Sequence, residues 1–235
     1  LIGDGAAAAP PRRTFMAYQF QFETIWPYAD VLARGVWLTI QLTSLAAVLG
    51  IALGVLGAMA RTSRFAWLRA VAGAYVELIR NTPFIVQLFF VFFGLPSAGI
   101  KLTANEAAVL AMVINMGAYS TEIVRAGIEA IHRGQVEAGL SLALSRLQIF
   151  RHIIIKPALE KIYPALTSQF IIVMLGSAVV SQISAEELTF AAQFIQSRNF
   201  RSFEVYFITT FLYLLLAIGF RLVFKLIGQW AFARR

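Results

Sequence analysis

The run from Gly35 to Ala60 contains no charged residue, and that constrains the fold more than any other feature of the chain. About 20 mainly apolar residues in a helix cross the hydrocarbon core of a bilayer, where backbone donors and acceptors must be satisfied internally. Four further stretches approach the same standard: Val71 to Pro96, Ala107 to Ile123, Ile162 to Ala185 and Val205 to Ile227. The Val71 to Pro96 stretch carries Glu77 and Arg80 and is interrupted by Asn81-Thr82-Pro83. Glu122 and Arg125 mark the end of the third stretch, and Arg221 and Lys225 lie near the end of the last, where long cationic side chains snorkel to the interface.

Composition agrees with an all-α polytopic membrane protein of five transmembrane helices. Hydrophobic residues make up 59% and charged residues 14%, with a mean hydropathy of +0.74, whereas soluble domains run nearer half apolar and a quarter charged. The net charge of +8 sits in short segments beside apolar runs, where it sets orientation; without aromatic and basic interleaving or a reading motif it does not indicate nucleic acid. There is no cysteine, so disulfides and thiolate metal sites are ruled out. The isolated His132 and His152 read as surface residues, and no metal site is expected. No phosphate-cradling Gly-x-x-x-x-Gly-Lys-Ser/Thr loop, zinc-binding His-Glu-x-x-His or Gly-x-Ser-x-Gly elbow occurs, so the chain is read as a non-enzyme with no catalytic residue and no cofactor of its own. Residues 1–15 resemble an expression scar, with Met16 a plausible true start and 16–235 the transmembrane domain.

Loop charge gives the orientation. Arg61, Arg64 and Arg69 follow the first span without an acid. The insert after the third carries Arg125, Arg133, Arg146, Arg151, Lys156 and Lys161 against Glu129, Glu137 and Glu160, and the tail adds Arg234 and Arg235. The alternate segments are lean or acidic, with Glu23, Asp30 and Arg34, then Lys101 and Glu106, then Glu186, Glu187, Arg198, Arg201 and Glu204. The positive-inside rule therefore places the N-terminus outside and the C-terminus in the cytoplasm, a parity that five spans satisfy.

The cytoplasmic insert, about residues 126–161, shows Ile128, Ile131, Val136, Leu140, Leu144, Leu147, Phe150 and Ile154 at helical spacing. This fits amphipathic helices on the bilayer surface or against a partner protein; the small step Glu137-Ala138-Gly139 suits close approach by a partner. Pro157 and Pro164 are expected to end or kink the helix on its return to the membrane.

Glu137-Ala138-Gly139, Leu142-Ala143-Leu144-Ser145, Gln148, Phe150-Arg151, Ile154 and Pro157-Ala158 resemble the EAA coupling motif of permease subunits in type I ABC importers. Tyr75-Val76-Glu77-Leu78-Ile79-Arg80-Asn81-Thr82-Pro83 and the run from Gly117 to Ile128 resemble the polar amino acid subfamily, which includes histidine, glutamine, arginine and glutamate permeases. The similarity covers Phe22 to Arg235. It implies an amino acid substrate and coupling residues Glu137, Ala138, Gly139, Ala143, Ser145 and Pro157. It also implies a second permease subunit, identical or not, two ATPase subunits carrying ATP and Mg, an extracytoplasmic solute-binding protein and a bacterial inner membrane. Two positions depart from the pattern: Ala143 replaces a glycine and Lys156 a leucine. Alanine gives up easy access to positive φ, so a different bend is expected between the coupling helices.

Candidate path residues are the polar and ionisable groups at membrane depth, which usually face a cavity or one another: Glu77, Arg80, Asn81, Thr82, Gln87, Asn115, Tyr119 and Glu122. A break at Asn81-Thr82-Pro83 would expose backbone groups able to bind a zwitterion. Glu77 and Arg80 at i, i+3 could equally pair with each other near the interface, as could Glu122 and Arg125. Gln169, Ser177, Ser181 and Gln182 read first as helix-helix hydrogen-bonding residues. Rival functions are a secondary transporter using Glu77 or Glu122 as a proton relay and a non-transporting scaffold subunit.

Overall fold

The computed structural model describes residues 18–232, and they form helices joined by short turns. The expected scar at residues 1–15, Met16, Arg234 and Arg235 lie outside the described residues. Helix α1 (Phe22–Arg61) opens with a 3-10 turn. It is followed by α2 (Ala66–Arg80), α3 (Phe84–Ser97), α4 (Ala104–Glu129), the short α5 (Arg133–Ser141), α6 (Arg146–Ile183), α7 (Leu188–Asn199) and α8 (Ser202–Ala231).

The centre of the fold is a close packing of α1 on α4. Ala46, Gly50, Gly54 and Ala58 recur every fourth residue and are all buried, forming the small-residue stripe that lets helix backbones approach inside a membrane. A Cβ added at Gly50 would come within 2.6 Å of Met116 Cβ, and Gly54 and Gly57 press on Ser120 and Thr121. Ala58 clusters with Val124. Residue numbers rise together along this seam, so α1 and α4 are parallel. The chain must therefore recross the bilayer between them, and only α2 and α3 can provide that crossing.

They do so as a broken pair, bent by 111°. The interruption expected at Asn81-Thr82-Pro83 within Val71 to Pro96 is where the pair bends: Pro83, lacking an amide proton, caps the start of α3 and cannot continue α2. Tyr75 donates to the Ile114 carbonyl at 2.7 Å, tying α2 to the middle of α4, and α3 then follows α4 back toward its start.

Helix α6 runs antiparallel to α4, with Gly127 seated against Ile162 and the Ala158 carbonyl. Pro157 and Pro164, expected to end or kink the helix, do not end it: the helix runs from Arg146 to Ile183. A π-helical segment, Phe150–Ile154, opens the turn that faces the Pro157 ring and removes the clash with the residue 153 carbonyl. Consequently the second half of the insert is the first part of a span.

At the opposite end, α7 packs on α1, where Thr39 Oγ1 accepts from Leu188 N at 3.1 Å and Gly35 faces Leu188 and Ala191. Its N-cap is Glu187, whose carboxylate is fully buried. Oε1 accepts from Thr189 N and Phe190 N at 2.7 and 3.0 Å, and Oε2 accepts from Tyr213 Oη. Burial pushes the Glu187 carboxyl above its ordinary value against the opposing effect of these hydrogen bonds. Helix α8 descends beside α6, with Tyr163 Oη donating to the Phe224 carbonyl; only 6% of its apolar window is buried. Five crossings result among the described residues, with the start of α1 and the end of α8 on opposite faces and α5 on the same face as the end of α8.

Candidate functional site

Two places gather the expected residues: a cavity at the break and the insert at one face. The cavity, about 310 Å³, is lined by Thr82, Asn115, Tyr119 and Gln169 with Phe84, Met112, Ile172, Val173 and Gly176. It lies where α2, α3, α4 and α6 meet. Its polar lining is neutral, and Arg80 stands over the Tyr119 ring with Cζ 5.4 Å from the centroid, a cation–π geometry.

The break does not leave backbone groups open as expected. Asn81 Nδ2 donates to the Glu77 carbonyl and Thr82 Oγ1 to that of Leu78, both at 2.8 Å. Gln87 Nε2 reaches the Ile79 carbonyl at 2.7 Å, the Thr82 carbonyl at 3.0 Å and Thr82 Oγ1 at 2.9 Å. Three of the orphan carbonyls that end any helix are thus satisfied, two by Asn81 and Thr82 within the break and one by Gln87 beyond it. Gln87 Oε1 in turn accepts from Asn115 Nδ2 at 3.0 Å, which fixes one edge of the cavity wall.

The other expected path residues lie elsewhere. Glu77 and Arg80 are exposed and form no ion pair with each other; the turn between them carries Arg80 over Tyr119 instead. Glu122 is held by Arg125 at 2.7 Å and lies 3.4 Å from Arg61 Nε, although the latter contact lacks hydrogen-bond geometry. Arg125 also binds Glu129 at 2.7 Å. This cluster clamps the insert-side ends of α1 and α4, and Arg61 also lies against Gly73 of α2. Ser177 and Ser181 bond their own helix carbonyls, and Gln182 is exposed. The apolar lining gives no signal in a sequence already rich in such residues. Arg61 as a partner of Glu122 was equally hidden, because the two positions are 61 residues apart.

In the insert, His132 Nδ1 caps α5 by accepting from Gly134 N at 3.1 Å. The helix ends in a Schellman turn: Leu144 N bonds the Gly139 carbonyl at 3.1 Å and Ala143 N that of Leu140 at 2.9 Å. Ala143 occupies the left-handed region at φ 55. Both turn bonds hold Ala143 in the conformation that glycine adopts freely, which costs a Cβ-bearing residue about 1–2 kcal/mol. Ser145 then caps α6 through a box with Gln148. Glu137 and Ala138 are exposed, whereas Gly139 faces inward, where a Cβ would approach Ile153 Cδ1 to 2.7 Å. Beside them Leu140, Leu142, Leu147 and Phe150 remain exposed, an apolar surface left uncovered by the other described residues. Lys161 Nζ donates to the Ala130 carbonyl, tying the insert's entry to its exit.

The sequence from residue 31 to 232 matches the family described as the inner membrane component of binding-protein-dependent transport systems. The chain belongs to this family. Glutamine transport system permease protein GlnP of Escherichia coli (strain K12) is 36% identical over 202 residues, covering 85% of this chain and 92% of the relative. L-cystine transport system permease protein TcyB of Bacillus subtilis (strain 168) is 35% identical over 202 residues, covering 86% and 85%. A crystal structure of an amino acid ABC transporter with histidines superposes with a TM-score of 0.84 at 36% identity, covering 90% of this chain and 99% of that one. The inward-facing MetNI methionine ABC transporter shares the fold, with a TM-score of 0.72 at 22% identity over 88% and 98% of the chains. This binding-protein-dependent component is a multi-pass permease subunit of an ABC importer, which sets aside the secondary-transporter and scaffold readings.

Proposed function

We propose that the chain imports a polar amino acid across the bacterial inner membrane, with the cavity at the α2–α3 break as its half of the path. The observation that carries this reading is the cavity wall itself. Thr82, Asn115, Tyr119 and Gln169 present neutral donors and acceptors among apolar residues, the combination that fixes orientation in small-molecule sites. The relatives that carry glutamine and cystine support the substrate class. Arg80, Asn81, Gln87 and Glu122 act around the wall: Gln87 and Asn81 cap the break, Arg80 backs Tyr119 and Glu122 braces the helix ends, whereas the exposed side chain of Glu77 lies outside the lining.

The insert face is assigned to the cytoplasm by its basic residues, which puts the N-terminus outside and the C-terminus inside. There Glu137, Ala138 and the neighbouring leucines dock on an ATPase subunit, while Gly139, Ala143, Ser145 and Pro157 shape the insert. Two ATPase subunits supply ATP and Mg, a second permease subunit completes the path, and an extracytoplasmic solute-binding protein delivers substrate to the opposite face. Closure of the ATPases on ATP tilts the spans as rigid bodies. Co-purification with the ATPase and amino acid-stimulated ATP hydrolysis in proteoliposomes test the reading. Asn115→Leu should abolish uptake while the assembled complex is retained; undiminished uptake would remove the cavity from the path.

A further inference from the structure

Two carboxamides, Asn115 and Gln169, line the cavity at the α2–α3 break, and a one-way chain of hydrogen bonds orients the first of them. Thr82 Oγ1 donates its single proton to the Leu78 carbonyl at 2.8 Å, so toward Gln87 Nε2, 2.9 Å away, it can only accept. The same nitrogen reaches the Ile79 and Thr82 carbonyls at 2.7 and 3.0 Å, partners that a flipped amide would meet with an oxygen. Gln87 Oε1 is therefore an acceptor, and Asn115 must present Nδ2 to it at 3.0 Å. That leaves Asn115 Oδ1 as the acceptor that this residue brings to the cavity; no donor among the described residues reaches it.

Gln169 supplies the second carboxamide, from α6. It is 7% exposed, lines the same cavity and its side chain forms no hydrogen bond among the described residues. Leaving a buried donor and a buried acceptor unmet is costly, so this amide calls for a partner inside the cavity. The space, about 310 Å³, is at the small end of ligand sites.

The charges around the wall decide what that partner can be. Among the described residues no carboxylate, ammonium or guanidinium lines the cavity. Glu122, one turn beyond Tyr119 on α4, is held by Arg125 at 2.7 Å and lies 3.4 Å from Arg61. Arg80 over the Tyr119 ring adds a positive charge beside the wall. A cationic side chain entering here would shed water without finding a counter-charge, which costs far more than an unmet neutral group. An acidic side chain would have no proton to offer Asn115 Oδ1. A carboxamide answers both walls: its NH₂ donates to Asn115 Oδ1 and its oxygen accepts from Gln169 Nε2. The α-ammonium and α-carboxylate, common to all amino acids, cancel in the comparison. Resting on the reading of this cavity as the path, we propose that it selects amino acids with a carboxamide side chain over cationic and acidic ones, with Asn115 and Gln169 as the specificity-determining pair.

The test is saturation-transfer NMR on the purified permease complex in nanodiscs, without a binding protein to pre-select the solute, using L-glutamine, L-lysine and L-glutamate as probes. Glutamine is expected to bind about a hundredfold more tightly than lysine and about tenfold more tightly than glutamate, ratios set by an unpaired charge and by an unmet acceptor. Gln169→Glu installs a carboxylate and should reverse the order of glutamine and lysine. Gln169→Met keeps the length, removes both polar atoms and should weaken glutamine about tenfold without admitting lysine. Because the parent amide bonds no described protein group, the yield of assembled complex should stay level in the methionine variant. Lysine or glutamate bound as tightly as glutamine by the parent, or selectivity unmoved by both substitutions, overturns the proposal and leaves the path reading standing. Failure of all three probes to bind sinks the path reading and this one with it.

Discussion

Gln87 joins the two halves of the broken crossing to the cavity wall, its Oε1 accepting from Asn115 at 3.0 Å while its Nε2 caps the Ile79 carbonyl at 2.7 Å. One buried amide therefore sets both the bend and the placement of a candidate substrate contact. Gln87→Leu keeps the bulk but leaves the Ile79 carbonyl and the Asn115 amide without partners, at about 1–3 kcal/mol. The expected outcome is a lower melting temperature of the purified complex together with a fall in uptake larger than the fall in yield. A variant that melts and transports like the parent would show that the amide holds nothing in place.

Glu122 faces two guanidinium groups, Arg125 at 2.7 Å and Arg61 at 3.4 Å, with 18% of its side chain exposed. Neutralising it leaves the partly buried Arg61 without an acid and Arg125 with Glu129 alone, whereas removing Arg61 alone leaves the Glu122–Arg125 pair intact. Glu122→Gln should cost roughly 2 kcal/mol, below the loss for a fully buried pair because solvent still reaches the site. Arg61→Gln should cost less. Thermal unfolding of the two variants and their double mutant measures the difference, and additive losses would mean that Arg61 and Glu122 do not interact.

Sequence reading identified the crossings because each depends on composition over many residues, as the uncharged run from Gly35 to Ala60 within α1 shows. It failed where a few contacts decide. The break at Asn81-Thr82-Pro83 was legible from its proline, but Gln87 capping carbonyls across the 111° bend is a relationship that no periodicity carries. Helix α7 was read as an acidic outer loop because it is short and half polar, yet Thr39 and Gly35 of α1 give it a seat 149 residues away in sequence from its first amide. The coupling insert was visible as a motif, but Gly139 reads as a surface step only until Ile149 and Ile153 are packed against it.

Ala143 holds a left-handed conformation, φ 55, at the turn between α5 and α6. Ala143→Gly relieves the Cβ clash and should stabilise the turn by up to about 1 kcal/mol, less whatever the glycine loses in chain entropy. Ala143→Val adds a branched side chain at the same angle and should destabilise it. Amide hydrogen exchange at Ala143 and Leu144, whose N–H groups make the two turn bonds, reports this directly. Slower exchange in the parent than in the glycine variant would contradict the strain argument.

Glu187 gives the end of the fold opposite the insert a pH dependence. Burial raises its folded-state pKa above the ordinary 4.5, so the folded chain holds this proton more tightly than the unfolded chain does. Below the unfolded value both states are protonated and stability is greatest from this group. As pH rises past that value the unfolded state releases its proton first, and stability declines until pH passes the folded value, beyond which it is level. Glu187→Gln keeps an oxygen able to accept from Thr189 and Phe190 but does not titrate. Melting temperatures measured across this window should fall with rising pH in the parent and show a smaller slope in the variant. Identical slopes would mean that Glu187 keeps an ordinary pKa despite its burial, with the α7 amides and Tyr213 fully offsetting the loss of solvation.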